Sequence, residues 1–232
     1  MTLATPQPES RHSSAFSGTL LTAGAVALFV GSLLYARLSW RLGLPALPAE
    51  RTLALADALS LGAQKLLLAG GCAFAGDCLL LAASIALVRR QARGSDLDAA
   101  GWALLGVSVA IAMIFDPIMA VALFPLAHSS DPAPFLAFKG WFDFLFAAAV
   151  IPFGLGAAAI LWADARSGLP LLPKLFSFVS IAIFSAAAAS GLGYATGLLH
   201  LPLVIGFSVL LGCIPLAALG VQIARSTTNF AP

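Results

Sequence analysis

The sequence predicts an all-α fold, a polytopic transmembrane helical bundle with six membrane-spanning helices. Hydrophobic residues make up 60% of the 232 residues and charged residues only 9%, whereas a soluble domain carries about 25% charged residues to wet its surface. The mean hydropathy is +0.99. Apolar stretches of about 20 residues, the length that crosses a bilayer, recur along the chain between short polar breaks. We therefore expect membrane lipid to surround most of the exterior.

The predicted spans follow one another with short connections, except after the first. They cover Phe16–Ala36, Lys65–Val88, Ala99–Pro125, Leu136–Ala163, Leu171–Gly197 and Leu201–Ala224. A five-span alternative discards the first span or merges the last two, but the Gly197–Pro202 break argues against merging. The first connection predicts a short interfacial helix from Ala49 to Leu61, lying flat on the membrane surface. An extension of the second span into the headgroups fits this segment equally well.

The basic residues indicate how the chain is oriented, because cytoplasmic loops are enriched in Lys and Arg. With the amino terminus inside, the inner set is Arg11, Arg89, Arg90, Arg93, Arg166, Lys174 and Arg225. The smaller outer set is Arg37, Arg41, Arg51, Lys65 and Lys139. We therefore expect a bacterial inner-membrane protein with both termini in the cytoplasm. Residues 1–15 are predicted to form a disordered cytoplasmic tail, residues 16–225 the membrane domain, and residues 226–232 a short carboxy-terminal tail.

Three aspartates lie inside successive predicted spans, where a charged side chain is costly unless it faces a partner or a polar cavity. Asp77 is in the second span, Asp116 in the third and Asp143 in the fourth. From the helical rise, all three fall between the membrane centre and its outer third. We expect them to form one polar intramembrane site. Lys139, one turn before Asp143, is a candidate partner for that carboxylate.

Small and hydroxyl residues share helix faces with two of these aspartates. The faces are Gly70, Asp77 and Ser84 at seven-residue spacing, and Ser108, Ala112 and Asp116 at four-residue spacing. Such residues are typical of helix–helix interfaces, because they allow close approach and offer hydrogen bonds. Ser84 and Ser108 are therefore candidate members of the polar site. Pro117 directly follows Asp116 and interrupts the backbone hydrogen-bond ladder there.

Two further patterns indicate packing. Gly193 and Gly197 form a G-x-x-x-G in the fifth span, typical of close helix contacts within one bundle. Aromatic residues cluster at predicted span ends, and we interpret them as interface belts. The cluster comprises Trp102, Phe135, Phe138, Trp141, Phe142 and Trp162.

Several function classes lack their sequence signals. The chain contains no G-x-x-x-x-G-K-[ST], H-E-x-x-H or G-x-S-x-G motif. The Gly-x-Gly-Asp pattern of intramembrane aspartyl proteases is incomplete at Asp77, since its first glycine is missing. The histidines and cysteines lack the spacing of a metal site, so we expect no metal and no cofactor. Cys72, Cys78 and Cys213 are interpreted as small buried hydrophobes. The chain has no basic stripe to bind nucleic acid.

Two short segments of the sequence resemble those of a known group of proteins. Gly76-Asp77-Cys78-Leu79 leads to Val88-Arg89-Arg90, and a later turn reads Arg166-Ser167-Gly168-Leu169-Pro170-Leu171-Leu172-Pro173. In this layout, from Thr52 onward, the chain resembles a group of uncharacterised bacterial six-helix membrane proteins described as a domain of unknown function. The resemblance implies the six-helix fold. It transfers no activity and no catalytic residue.

The sequence favours small-solute or proton-linked transport through the polar site as the function of this protein, with no catalytic residues. An alternative is a non-catalytic membrane subunit that docks a partner complex, in which case the protein partner or a second copy packs on its helices. A third interpretation of the aspartates is purely structural, in which they fix helix packing. Membrane lipid is the partner common to all three, and nucleic acid to none.

Overall fold

The computed structural model describes residues 9–41, 63–91, 95–122, 125–126, 131, 133–198 and 202–226. Its helices are α1 (Glu9–Arg41), α2 (Ala63–Gln91), α3 (Asp96–Pro117), α4 (Ala133–Arg166), α5 (Lys174–Ala195) and α6 (Pro202–Ser226). A π-helical turn, Ile118–Ala122, continues α3. Within this described part, six helices are long and apolar enough to cross a membrane. The prediction of a six-helix transmembrane bundle is confirmed, and the five-span alternative is wrong.

The first helix starts earlier than the predicted first span. It begins at Glu9, so part of the segment predicted as a disordered tail is helical. The interfacial helix predicted from Ala49 to Leu61 lies outside the described residues, as do the first eight residues and the last six.

The helices form a closed ring in chain order. Each helix packs on its neighbour along the chain, and α6 returns to pack on α1. After α2, short connections favour this arrangement, because consecutive helices are then antiparallel neighbours. Side chains from all six helices fill the middle of the ring. This core includes Leu21, Leu80, Leu105, Phe153, Phe184 and Leu216.

Glycines bring neighbouring helices into direct backbone contact. They face each other across three interfaces: Gly24 and Gly76 between α1 and α2, Gly101 and Gly156 between α3 and α4, and Gly18 and Gly220 between α1 and α6. A Cβ atom on Gly24 would lie only 2.9 Å from the carbonyl oxygen of Gly76. In lipid such close van der Waals packing replaces the hydrophobic effect as a source of helix association.

The aromatic residues do not form a uniform interface belt. Phe135, Phe142 and Trp102 are buried, whereas Phe138 and Trp141 are exposed. Phe135 and Phe142 are seven residues apart, so they share the face of α4 that packs inside the bundle. The Phe142 ring meets the Phe115 ring edge-on at 5.4 Å between centroids. The prediction of interface belts is therefore wrong for the buried members of the cluster.

An acidic side chain organises the turn between α4 and α5. The Asp164 carboxylate accepts hydrogen bonds from the backbone N–H groups of Leu171 at 2.8 Å and Leu172 at 3.2 Å. The Arg166 guanidinium lies over the Trp162 ring, 4.4 Å from its centroid. These contacts bind the turn back onto the end of α4 and set where α5 begins.

The end of α5 differs from the predicted G-x-x-x-G contact. Gly193 is buried, but Gly197 has φ of 72° and open space where a Cβ would lie. The N–H of Leu198 donates to the Gly193 carbonyl at 2.9 Å, and the N–H of Gly197 donates to the Tyr194 carbonyl at 3.0 Å. This pattern is a Schellman cap, in which a left-handed glycine satisfies the last helical carbonyls.

Replacing Gly197 with alanine should therefore destabilise the protein by about 1 kcal/mol, because a Cβ disfavours the left-handed conformation. A lower thermal unfolding midpoint in detergent would record the loss. Gly140→Ala is the matched control, since Gly140 lies in α4 with nothing within 4 Å of its Cβ position. Equal midpoints for the two variants would contradict the capping role.

Candidate functional site

Asp77 and Asp116 meet inside the bundle. Asp77 lies near the middle of the span Gln64–Arg89 and is 1% exposed, and Asp116 on α3 is 2% exposed. Their side chains share a hydrogen bond. An ionised carboxylate can only accept hydrogen bonds, so this contact requires a proton on at least one of the two groups. We refer to these two residues as the carboxyl pair.

The predicted face of α2 positions this pair. Gly70 packs against Ala120, and seven residues further on Asp77 reaches Asp116. After another seven residues, Ser84 lies opposite Gly106. One face of α2 therefore runs along α3 for about four turns, as its small and polar residues predicted.

Each member of the carboxyl pair keeps one unused oxygen. The Oδ2 atoms of Asp77 and Asp116 are buried and have no hydrogen-bond partner among the described residues. A buried polar atom without a partner carries a desolvation cost of about 1–3 kcal/mol. Such atoms are rare in folded proteins, so these two oxygens mark a candidate binding position.

Cys213 on α6 lies within electrostatic range of Asp77. It is buried, and its Sγ lies 3.3 Å from the Val209 carbonyl oxygen. The sequence predicted only that this cysteine is a buried hydrophobe. Its position relative to Asp77 depends on the closure of the ring, and no local pattern in the sequence of α6 predicts it. The carboxyl pair is formed by α2 and α3, and α6 places a thiol within electrostatic range of it.

The backbone changes geometry immediately after Asp116. Pro117 has no N–H group, so it cannot donate the usual hydrogen bond to the carbonyl four residues earlier. The chain then adopts the π-helical turn Ile118–Ala122. Single π turns inside α-helices are frequent at functional sites. Asp116 therefore stands at the junction between regular α-helix and an irregular segment.

Asp143 is not part of the carboxyl pair. Both of its carboxylate oxygens lie 2.5 Å from the Lys139 Nζ, one turn earlier on α4. This confirms the predicted Lys139 partner and separates Asp143 from the hydrogen bond between the other two aspartates. Tyr35 on α1 and Tyr194 on α5 lie within electrostatic range of this ion pair. The three aspartates are thus divided between a carboxyl pair and an ion pair.

The two predicted serines lie away from the carboxyl pair. Ser108 donates from its Oγ to the Ala149 carbonyl at 2.8 Å, which ties α3 to α4. Ser84 is buried, and its Oγ has no partner among the described residues. Each serine is seven or eight residues from the nearest aspartate of its own helix, a separation of about 10–12 Å along the axis. Although each serine shares a helix face with an aspartate, the serine hydroxyls and the aspartate carboxyls are not in contact.

No group of three or more His, Cys, Asp and Glu side chains within the described ranges could hold a metal ion. Comparisons of the chain with protein-family models, with curated proteins and with solved structures find no match.

A double-mutant cycle on the carboxyl pair tests the shared hydrogen bond. Asp77→Leu and Asp116→Leu should each lower the free energy of unfolding by about 3 kcal/mol, since each leaves one buried carboxyl without its partner. The double variant should lose less than the sum of the two singles, with a coupling of about 1–3 kcal/mol. Unfolding in mixed detergent micelles, followed by circular dichroism, provides the measurement. Strictly additive losses would show that the two carboxyls do not interact.

Proposed function

We propose that this protein transports a small solute together with a proton, and that the carboxyl pair of Asp77 and Asp116 binds that proton. The observation that carries the proposal is two carboxyl groups sharing one hydrogen bond inside a membrane-spanning bundle. Ionisable residues this deep in a membrane cost free energy to bury, and they are typical of ion or proton pathways.

The chemistry of the carboxyl pair provides two charge states. With one shared proton the pair carries a net charge of −1, which is costly in the apolar middle of the bundle. A second proton neutralises it, and so does a cationic group on a solute. The two unpaired Oδ2 atoms are the acceptors open to either partner. Binding and release at this pair therefore change the charge that the bundle must hold.

Access to the carboxyl pair requires a movement of the helices. Next to Asp116 in the chain, Phe115 belongs to an apolar cluster with Leu66, Met119 and Phe142. The main core of the ring includes Leu80, one turn from Asp77. With apolar packing on both sides, the described conformation is occluded. The turn Ile118–Ala122 is a natural hinge, because its hydrogen bonding is already irregular.

The ion pair of Lys139 and Asp143 supplies a second polar step. The two side chains are 19% and 36% exposed, so they are more accessible than the carboxyl pair. The Phe142 ring contacts the ion pair and a neighbour of the carboxyl pair. Lys139 Nζ lies 5.6 Å from its centroid, and Phe115, next to Asp116 in the chain, packs on the same ring. In the proposed mechanism, displacement of this aromatic contact connects the ion pair with the carboxyl pair.

We propose that the protein lies in the bacterial inner membrane with both termini in the cytoplasm. The excess of Lys and Arg on the inner side supports this placement, above all Arg89 and Arg90 at the end of α2 and Arg93 just after it. In this orientation the Lys139–Asp143 pair lies in the half of α4 that faces outward.

Reporter fusions test the orientation. Alkaline phosphatase, which is active only outside the cytoplasm, should be inactive when fused after Arg93 or Arg225 and active when fused after Asp131. Green fluorescent protein at the same three sites should give the opposite pattern. Activity of the phosphatase fusion after Arg93 would reverse the proposed orientation.

Proton flux into reconstituted vesicles tests the function. A trapped pH-sensitive dye reports proton entry under an imposed membrane potential, with and without a deproteinised bacterial extract as the source of solutes. The wild type should exceed protein-free vesicles, and Asp77→Asn and Asp116→Asn should each fall to the protein-free level, because an amide cannot titrate. Asp143→Asn should reduce the flux without abolishing it.

Asp96→Asn is the matched control for these variants, because Asp96 is an exposed acid at the start of α3. It should leave the flux unchanged. Equal flux in the wild type and in all three aspartate variants would end the transport proposal. A folded wild type without flux, crosslinked to a second protein in native membranes, would instead support the accessory-subunit alternative.

A further inference from the structure

A groove runs along the surface of the bundle between α2 and α3, away from the carboxyl pair. It has a volume of about 350 Å³. Small residues on α3 create it, since Ala103, Gly106 and Ala110 recur at three- and four-residue spacing and leave the face of that helix shallow.

The walls of the groove are apolar and open to the membrane. Ile85 from α2 is 47% exposed and Val107 from α3 is 52% exposed, and both line it. Trp102 closes it from the side of the bundle core. A groove bounded by aliphatic side chains in this position fits a hydrocarbon chain, whose contacts with it are dispersion contacts along its length.

Two polar groups on α2 also line the groove. Arg89 is exposed near the end of α2 and forms no ion pair with any described residue. Ser84 is only 1% exposed, and its Oγ has no hydrogen-bond partner among the residues described. The two residues are five positions apart, about 7.5 Å along the helix axis. The groove therefore combines an apolar trough, a buried hydroxyl and a cation at the membrane boundary, in that order.

We propose that this groove binds an anionic phospholipid of the surrounding membrane. One acyl chain lies between α2 and α3, the Ser84 hydroxyl donates to an ester carbonyl, and the Arg89 guanidinium binds the phosphate. The arrangement follows the order of groups in a phospholipid, where the ester carbonyls lie just below the phosphate. Basic pockets between transmembrane helices are known to recognise anionic headgroups.

The charge near Arg89 favours an acidic lipid over a zwitterionic one. Arg90 and Arg93 follow Arg89 in the chain, whereas Asp96 and Asp98 open α3 at the same end of the bundle. The net charge of this set is positive, so a headgroup with an uncompensated negative charge is preferred. One arginine near the membrane surface corresponds to a preference of about fivefold.

Quenching of tryptophan fluorescence by brominated lipids tests the inference. A variant of the full chain with Trp40, Trp141 and Trp162 replaced by phenylalanine retains only Trp102, which lines the groove. It is reconstituted with increasing fractions of brominated phosphatidylglycerol or brominated phosphatidylcholine. Half-maximal quenching should need about fivefold less of the anionic lipid, given the contribution of one arginine.

Arg89→Gln in this background should remove the preference, and Arg37→Gln, an exposed arginine on α1, should retain it. Ala103→Phe, which fills the groove, should weaken quenching by both lipids. Equal half-maximal fractions for the two lipids would overturn the inference, as would an unchanged preference in Arg89→Gln.

Native mass spectrometry of the unmodified protein provides a second readout that does not depend on the tryptophan substitutions. A phosphatidylglycerol adduct should survive detergent exchange more often than a phosphatidylcholine adduct. The same comparison on Arg89→Gln should show equal retention. Equal retention by the unmodified protein would overturn the inference even if the single-tryptophan variant failed to fold.

Discussion

Backbone contact between helices is the constraint from which the other features follow. Lipid tails are as apolar as leucine side chains, so burying leucine gives little reason for two helices to associate in a membrane. Opposed glycines such as Gly24 with Gly76 and Gly101 with Gly156 remove the side chains that would otherwise hold the helices apart. The glycines thus set the positions of the six helices in the ring. The larger apolar residues fill the space that remains between the helices.

These backbone contacts also fix the geometry of the carboxyl pair. Gly76 holds α2 against α1, and Gly70, two turns before Asp77, holds it against α3. Asp77 is therefore fixed from two sides before its carboxyl group makes any contact. Asp116 has less support, since the helix beyond it passes into the turn Ile118–Ala122. One carboxyl of the pair stands on a fixed helix and the other at the edge of an irregular one.

The sequence predicted the parts of this structure that depend on a single helix. Span length and hydropathy predict the six helices, seven-residue spacing predicts the face of α2, and i,i+4 spacing predicts the contact between Lys139 and Asp143. Apart from the meeting of Asp77 and Asp116, it did not predict features that depend on how separate helices pack together. Cys213 comes within electrostatic range of Asp77 only because the ring closes, and Phe135 is buried only because α4 turns that face inward.

The turn Ile118–Ala122 has a further consequence for the rotation of α3. A π turn holds one residue more per turn than an α-helix, and each residue corresponds to about 100° about the axis. Passing that surplus residue back along the chain by two positions, beyond Pro117 and Asp116, would swing Asp116 through this angle while the helix axis stayed in place. The two carboxyls could thus be separated by a slip within one helix, without pulling any pair of glycines apart.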